Sequence, residues 1–277
     1  MGEDATRRVA RAAAEAALVR VVHHYGATPE FVLLGGLVPE LLCSQSGAVH
    51  AGTTDVDVQV DFEIVAGSAN AKRLENALAN AEFEVDPSRA WRWLWDDGGT
   101  RAVVKFELLS DLDTAPAGAT IEFDNCVSLG AVNLRGTGFA SKDWALQTLR
   151  AKIGGTLYGV ELRVAELSGF LLAKTSAARE RRAAKDWYDI AFVLLHNDLG
   201  GAAAAGRRTV ELFSRELTGG PIRTALDDLL ANFELPEAQG PEAYANQMLI
   251  DHDDMEEATL RADAVTAVSE FHAALLP

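Results

Sequence analysis

The chain has 277 residues, of which 48% are hydrophobic and 24% charged, a composition typical of a soluble globular protein. Its formal net charge of −16 at pH 7 argues against broad electrostatic binding to nucleic acid or to an anionic membrane, while leaving room for a local basic patch. No apolar run approaches the roughly 20 residues of a membrane-spanning helix, and the two cysteines have no zinc-like spacing, so we expect a soluble, cytoplasmic protein without a membrane partner.

The first elements of the chain are a helix and a short strand. A stripe of small apolar residues predicts an N-terminal helix that Gly26 ends. A short buried strand is expected at residues 31–34. It runs into Gly35 and Gly36, after which a helix continues to about Cys43.

The rest of the N-terminal half is expected to be rich in strands. Polar and apolar residues alternate strictly over residues 55–64, which predicts a half-buried strand. A helix is predicted over 68–81, and residues 91–109 read as a hairpin around an Asp-Asp-Gly-Gly turn. Further strands are expected within 119–129 and 159–165.

Beyond residue 164 the pattern becomes helical. Residues 165–182 and 184–197 predict two strong helices, and three or four more follow, with a short alanine- and glycine-rich linker at 199–206. We therefore predict an α+β fold, with a mixed-sheet domain at 1–164 and a helical domain at 165–277.

Two carboxylates stand side by side at the beginning of the alternating strand. Asp55 and Asp57 are two residues apart and therefore point to the same face. Carboxylates this close repel each other unless solvent screens them or a cation bridges them. One interpretation is the solvated face of an edge strand. The other is a Mg²⁺ site, because Mg²⁺ prefers one or two carboxylates together with phosphate oxygens.

A glycine pair precedes these carboxylates, at the mouth of the predicted second helix. Since Gly35 and Gly36 have no Cβ atoms, a phosphate group can approach their backbone, where free N–H groups and the helix dipole favour an anion. A simple packing turn explains a glycine pair equally well. The succession of glycine pair, helix and carboxylate strand is more specific than either motif alone.

This succession resembles the nucleotidyltransferase superfamily with the polymerase-beta-like core. The family pattern is hG[GS], a helix, then h[DE]h[DE]h, and here it reads "LGG" and "TDVDV". Relatives often carry a third carboxylate on a neighbouring strand, for which Glu107 is the best positional match. Asp61, Asp111 and Asp124 are rivals, and an ion pair between Glu107 and Lys105 is the alternative interpretation.

A second group of charged residues lies in the helical half. Lys174 and Arg179 are followed by Lys185-Asp186 and by Asp189, within otherwise apolar helices. A mixed-charge helix is usually a solvated face, but charges within a buried helix need partners or a function. The spacing resembles the AbiEii-like (MenT-like) branch of the superfamily, which includes toxins of type IV toxin–antitoxin systems.

The resemblance implies an enzyme that transfers a nucleoside monophosphate from an NTP to an acceptor. It implies Mg²⁺ bound by Asp55 and Asp57 with Glu107. Groups that contact the phosphates are expected from Gly35, Gly36, Thr53 and Thr54.

For the helical half the resemblance implies that it completes the active site. Lys174 would contact the phosphates or offset developing charge, and Asp186 or Asp189 would position the acceptor or fix Lys174. One departure concerns the basic residue that many relatives carry shortly before the carboxylate pair, for which His50 is the nearest substitute in this chain.

The resemblance leaves the acceptor open. tRNA, another protein or an antibiotic-type small molecule is compatible with the motifs, and a toxin would have a cognate antitoxin as its partner. A local basic strip is an expected RNA docking patch, with a balancing exposed helix turn as the alternative; its members are Arg179, Arg181, Arg182, Lys185, Arg207 and Arg208. A different class of function is a non-catalytic module that binds a nucleotide or a partner.

Overall fold

The computed structural model describes residues 3–60, 68–96, 103–251 and 254–276, and all element bounds refer to these ranges. The helices are α1 (Glu3–Tyr25), α2 (Val38–Leu42), α3 (Ser68–Asn80), α4 (Phe139–Lys142), α5 (Leu167–Arg181), α6 (Ala184–His196), α7 (Ala202–Phe213), α8 (Gly220–Ala231), α9 (Gln239–Asp251) and α10 (Glu257–Ala274). The strands are β1 (Val32–Leu34), β2 (Asp55–Gln59), β3 (Glu84–Asp86), β4 (Arg89–Asp96), β5 (Val103–Ser110), β6 (Thr120–Glu122), β7 (Gly130–Asn133), β8 (Trp144–Ile153) and β9 (Thr156–Ala165).

The architecture is α+β, as predicted, with all strands in the first part of the chain and a helical C-terminal region. The chain divides into two compact units. The first comprises residues 1–38 and 52–165, and the second comprises 39–51 and 166–277. Residues 39–51 were predicted to belong to the sheet domain, but they group with the helices of the second unit.

The described strands of the first unit form one mixed sheet. Its main path runs β3-β4-β5-β2-β1-β9-β8, and β7 joins β5 to the short β6. β2 pairs antiparallel with β1 and parallel with β5, so it lies in the middle of the sheet. One face of this central strand is fully apolar, because Val56 and Val58 are completely buried beside Phe106 and Leu108 of β5.

Helix α1 ends where the sequence predicts it to end. Gly26 adopts a φ of +72°, and its N–H donates to the carbonyl oxygens of Val22 and His23, which closes the last helical turn. The strand predicted from residue 31 is also confirmed as β1, and the glycine pair that follows it begins a 3₁₀ turn that leads into α2.

Several predicted elements are confirmed with small differences in length. The alternating strand is β2 up to Gln59. Val60 lies beyond its end, and the rest of the predicted strand, residues 61–64, falls outside the described ranges. The two hairpin strands are β4 and β5, with a turn that also lies outside the described ranges. Helices α5 and α6 match the predicted pair, and four more α-helices follow them within the part of the chain that the structure describes.

Three features of the structure differ from the predicted elements. Residues 199–206 are not a linker, because α7 begins at Ala202 directly after Gly200 and Gly201, and alanine is the best helix former. The strand expected within 119–129 is only β6. β3, β7 and β8 were not predicted. In β8 the two leucines, Leu146 and Leu149, lie on opposite faces and each face mixes apolar with polar residues, so its sequence lacks the alternation of a half-buried strand.

Within the described residues, no helix is long and apolar enough to cross a bilayer.

Candidate functional site

The glycine pair and the carboxylate strand meet in the first unit. β1 pairs with β2 so that Leu34 lies opposite Asp57, and the next residue is Gly35. A Cβ atom added to Gly35 would lie 2.0 Å from Asp57 Oδ2 and 2.8 Å from Asp57 Cβ. Gly35 also has a φ of +80°, which L side chains rarely adopt. Its backbone therefore lies directly against the carboxylate, which occupies the space that a side chain would need.

The second carboxylate has a cationic neighbour on the adjacent strand. Asp55 lies opposite Lys105 in the parallel β2–β5 pair, and Lys105 Nζ lies 3.2 Å from Asp55 Oδ1. The two side chains are 33% and 39% exposed, so solvent screens their attraction. Such an exposed pair can exchange its partner at small energetic cost, which keeps Asp55 available to a bound cation.

The carboxylate expected as a third metal ligand is engaged by an arginine. Glu107 of β5 lies opposite Asp57 of β2 on one side and opposite Arg92 of β4 on the other. The Arg92 guanidinium approaches Glu107 Oε1 with Nη2 at 2.6 Å and Nε at 2.7 Å, and both side chains are largely buried. Glu107 therefore pairs with Arg92 and not with Lys105, and a metal ion would have to compete with the guanidinium for it.

The three rival carboxylates do not form a clearer third ligand. Asp111 accepts backbone N–H bonds from Gly136 and Gly138, which fixes a loop between β7 and α4. Asp124 lies in the turn after β6, and Asp61 lies outside the described ranges.

The two threonines before the carboxylate strand make local backbone bonds. Thr53 is buried, and its Oγ1 accepts a hydrogen bond from the Asp55 N–H at 3.0 Å. The Thr54 carbonyl oxygen accepts from the Lys105 N–H at 3.0 Å, which extends the β2–β5 pairing by one bond. Both residues thus set the start of β2, and their expected contact with phosphate stays a prediction.

The glycine turn leads into a short helix. Gly35, Gly36 and Leu37 form a buried 3₁₀ turn, and the Val38 N–H donates back to the Gly35 carbonyl oxygen. Because α2 ends at Leu42, its dipole is small, and the contribution of this turn to anion binding would come from backbone N–H groups.

The second unit contains a buried charge cluster built from α5 and α6. Lys174 Nζ lies 2.6 Å from Asp189 Oδ2 and 3.2 Å from Asp186 Oδ1. Arg181 binds Asp186 with two nitrogens, at 2.7 and 3.1 Å. Lys174 and Arg181 balance the charges of the two carboxylates, and this balance makes the burial of Lys174, Asp186 and Asp189 tolerable. Lys174, Asp186 and Asp189 are therefore buried, as their apolar context indicates, whereas Arg181 is 55% exposed.

A histidine completes this cluster from far away in the sequence. His50 Nε2 lies 2.9 Å from Asp189 Oδ1, and both side chains are fully buried. Because a carboxylate only accepts, Nε2 carries the proton of this hydrogen bond. The His50 ring also stacks on Tyr188, whose hydroxyl accepts the Ala51 N–H at 3.0 Å. His50 is therefore a partner of Asp189 within the second unit.

The electrostatics of Asp189 reflect these partners. Burial by itself raises the pKa of this carboxyl group, but the Lys174 ammonium and the His50 hydrogen bond together outweigh burial and hold the pKa below its usual range. Asp189 is therefore ionised at neutral pH and fixes the Lys174 side chain.

Three of the six members of the basic strip form ion pairs with acids that the structure describes in their own unit. Arg179 donates instead to the Pro221 carbonyl oxygen. The ion pairs of the strip join Arg181 to Asp186, Arg182 to Asp228 and Arg208 to Glu211. These pairs lower the net positive charge that the strip offers to a polyanion.

The carboxylates of the two units differ in whether they can bind a metal cation. Among the described residues, no group of three or more His, Cys, Asp or Glu side chains forms a metal cage. Asp55 and Asp57 fit a cation that takes only two carboxylates and completes its shell with water and phosphate oxygens, which is the usual habit of Mg²⁺. In the second unit, Asp186 and Asp189 already hold two protein cations.

Sequence comparisons add no relatives to this description. Neither the family models nor the curated proteins contain a match to this chain.

Proposed function

We propose that this chain is a Mg²⁺-dependent nucleotidyltransferase whose first unit binds the nucleoside triphosphate. The observation that carries the proposal is the contact of Gly35 with Asp57, since a backbone without a side chain lies against a carboxylate of an Asp-x-Asp pair. This arrangement supports a binding site for a metal-bound phosphate, because it places carboxylates for the cation directly beside a glycine backbone whose N–H groups can bind an anion.

In this proposal Asp55 and Asp57 hold Mg²⁺, and the backbone N–H groups of Gly35 and Gly36 face the phosphates. The bound Mg²⁺ would supply positive charge that offsets the charge of the phosphate oxygens. The chain's own residues bind and orient the nucleotide, which is the larger part of catalysis in phosphoryl chemistry.

The reaction class follows from that binding site. An acceptor hydroxyl oxygen forms a bond to the α-phosphorus, the bond from the α-phosphorus to the pyrophosphate oxygen breaks, and the hydroxyl proton leaves to solvent. The proposal rests on residues of the first unit, and the expected contact of Lys174 with the nucleotide stays a prediction.

The acceptor and the biological role rest on the sequence resemblance alone. RNA, protein and small-molecule acceptors are all compatible with the binding site, and the AbiEii-like spacing favours the toxin of a toxin–antitoxin system. Growth arrest on expression, abolished by Asp57→Asn, would support the toxin role. Arrest that persists in the variant would separate toxicity from nucleotidyl transfer.

A second candidate function is a nucleotide-binding module without catalysis. The ion pairs that engage Asp55 and Glu107 favour it, since both carboxylates are neutralised by protein cations, Lys105 and Arg92. Such a module would bind an NTP without releasing pyrophosphate.

Two measurements on the wild-type protein separate these candidates. Thermal unfolding with each NTP, with and without Mg²⁺, reports binding, because a ligand that binds only the folded state raises the midpoint. Incorporation of label from NTPs labelled at the α-phosphorus into RNA, protein or aminoglycoside acceptors reports transfer. A Mg²⁺-dependent shift with transfer supports the enzyme, a shift without transfer supports the module, and no shift with any NTP contradicts both.

A further inference from the structure

The outermost strand of the sheet is long and open on one side. β8 has ten residues and ends the main path of the described sheet, where it pairs only with β9. The opposite end of the path is β3, which has three residues. Natural sheets blunt their edges by keeping them short, and β3 follows this rule while β8 does not. β8 thus presents a row of backbone N–H and C=O groups roughly 34 Å long.

One face of this strand is exposed along its whole length. The even-numbered residues of β8 are exposed, whereas the odd-numbered ones are half-buried. Leu146 is 55% exposed, and Leu157 of β9, which lies opposite Lys152, is 61% exposed. The exposed residues of β8, in order, are Trp144, Leu146, Thr148, Arg150 and Lys152.

The charge of β8 is opposite to that of the whole chain. Its ten residues include Arg150 and Lys152 but no acid, in a protein with a net charge of −16. Neither cation forms an ion pair with any described residue. Arg150 lies across from Gly159 in the β8–β9 pair.

We propose that β8 is a docking edge for an extended acidic segment of a partner protein, which adds one antiparallel strand to the sheet. Carboxylates of that segment lie opposite Arg150 and Lys152, and apolar side chains lie opposite Leu146 and Trp144. Cross-strand pairs of opposite charge stabilise such an addition, and like charges destabilise it.

The same cations favour an acidic strand over a second copy of β8. A second copy has no acid in β8 that could lie opposite Arg150 or Lys152. Lysine on an edge strand is a common device against self-association, and here it leaves an acidic strand as the favoured occupant.

The test uses the full chain and two labelled nine-residue peptides in fluorescence anisotropy. The first peptide has glutamate at its first and third positions, threonine in the centre, and valine at its seventh and ninth positions. The second peptide has lysine in place of both glutamates. We expect the acidic peptide to bind at least about tenfold more tightly than the lysine peptide, and salt to weaken it.

Charge reversal supplies the matched control. Arg150→Glu with Lys152→Glu should exchange the preference, so that the lysine peptide binds more tightly. Arg207→Glu with Arg208→Glu, an equal change of charge on exposed residues of α7, should leave both affinities unchanged. Circular dichroism checks that each variant folds. If the β8 variant fails to fold, the salt dependence of peptide binding by the wild-type protein still tests the proposal.

Three results would overturn the proposal. The first is equal binding of both peptides, and the second is no binding at millimolar peptide. The third is a wild-type dimer, seen in light scattering, that Thr148→Lys dissociates, because β8 would then pair with a second copy of the chain.

Discussion

Asp57 of β2 contacts Gly35, which follows β1, and its carboxylate occupies the position that a side chain at Gly35 would need. The glycine is required twice at this point, by its positive φ and by the space that Asp57 takes. Gly35 thus leaves space beside its backbone, and the negative charge of Asp57 on β2 occupies that space.

Gly35→Ala should destabilise the protein strongly. The positive φ costs about 1–2 kcal/mol in an L residue, and the clash with Asp57 adds a similar or larger amount, for a total of roughly 2–5 kcal/mol. Gly118→Ala is the matched control, since Gly118 has a φ of +78° and nothing within 4 Å of its missing side chain. Urea unfolding of both variants measures the difference. Equal losses would show that the carboxylate does not occupy the position.

Lys174→Met should be among the most damaging substitutions in the second unit. It leaves Asp189 buried beside His50 without its cation, and removal of one partner from a buried ion pair costs about 3–5 kcal/mol. Arg182→Met removes an exposed partner of Asp228 and should cost no more than about 1 kcal/mol.

The double variant Lys174→Met with Asp189→Asn tests the cause of that loss. Because it removes the unpaired charge as well, it should be more stable than Lys174→Met alone in urea unfolding. A double variant as unstable as the sum of the two single variants would show that Lys174 and Asp189 do not interact.

Cys43 should make stability fall at alkaline pH. Burial, followed by the nearby charges of Asp198 and Glu40, raises the pKa of the Cys43 thiol to about 12. An unfolded thiol has a pKa of about 8.5, so between these values the unfolded chain loses a proton that the folded chain keeps. The contribution is complete below about pH 8.5 and is lost as pH rises, with a slope of up to about 1.4 kcal/mol per pH unit.

Urea unfolding between pH 8 and 11 measures this slope. Cys43→Ala should flatten it, whereas Cys126→Ala should change it less, because Cys126 is only half-buried. Identical slopes in the wild type and Cys43→Ala would contradict the assignment of the titrating group to this thiol.

The fold was predictable where one element determines its own pattern. The alternation of Asp55 to Gln59 marks a strand with one buried face, and the apolar run around Trp187 marks a buried helix. The start of α7 was not predictable, because the sequence "GGAAAAG" is typical of a linker. In the structure the two glycines precede the helix and the alanines form its first turn.

The ion pairs of the candidate site were not predictable, because they depend on which strands lie side by side. Lys105 and Glu107 are two residues apart on one face, but their partners come from β2 and β4 respectively. His50 and Asp189 are 139 residues apart, and no sequence pattern indicates that the segment 39–51 joins the helices. Only the strand order and the packing of that segment bring these groups together.

The most direct test of the proposed nucleotide-binding site measures Mg²⁺-dependent NTP binding by the Asp57→Asn variant, through the shift of its thermal unfolding midpoint. The amide keeps the shape of the side chain and removes one of the crowded negative charges, so the variant should fold with unchanged or raised stability. It should lose the Mg²⁺-dependent shift and all transfer, while Asp113→Asn, which changes a fully exposed carboxylate, should keep both. A folded Asp57→Asn protein that binds and transfers as the wild type does would contradict the metal role of this strand.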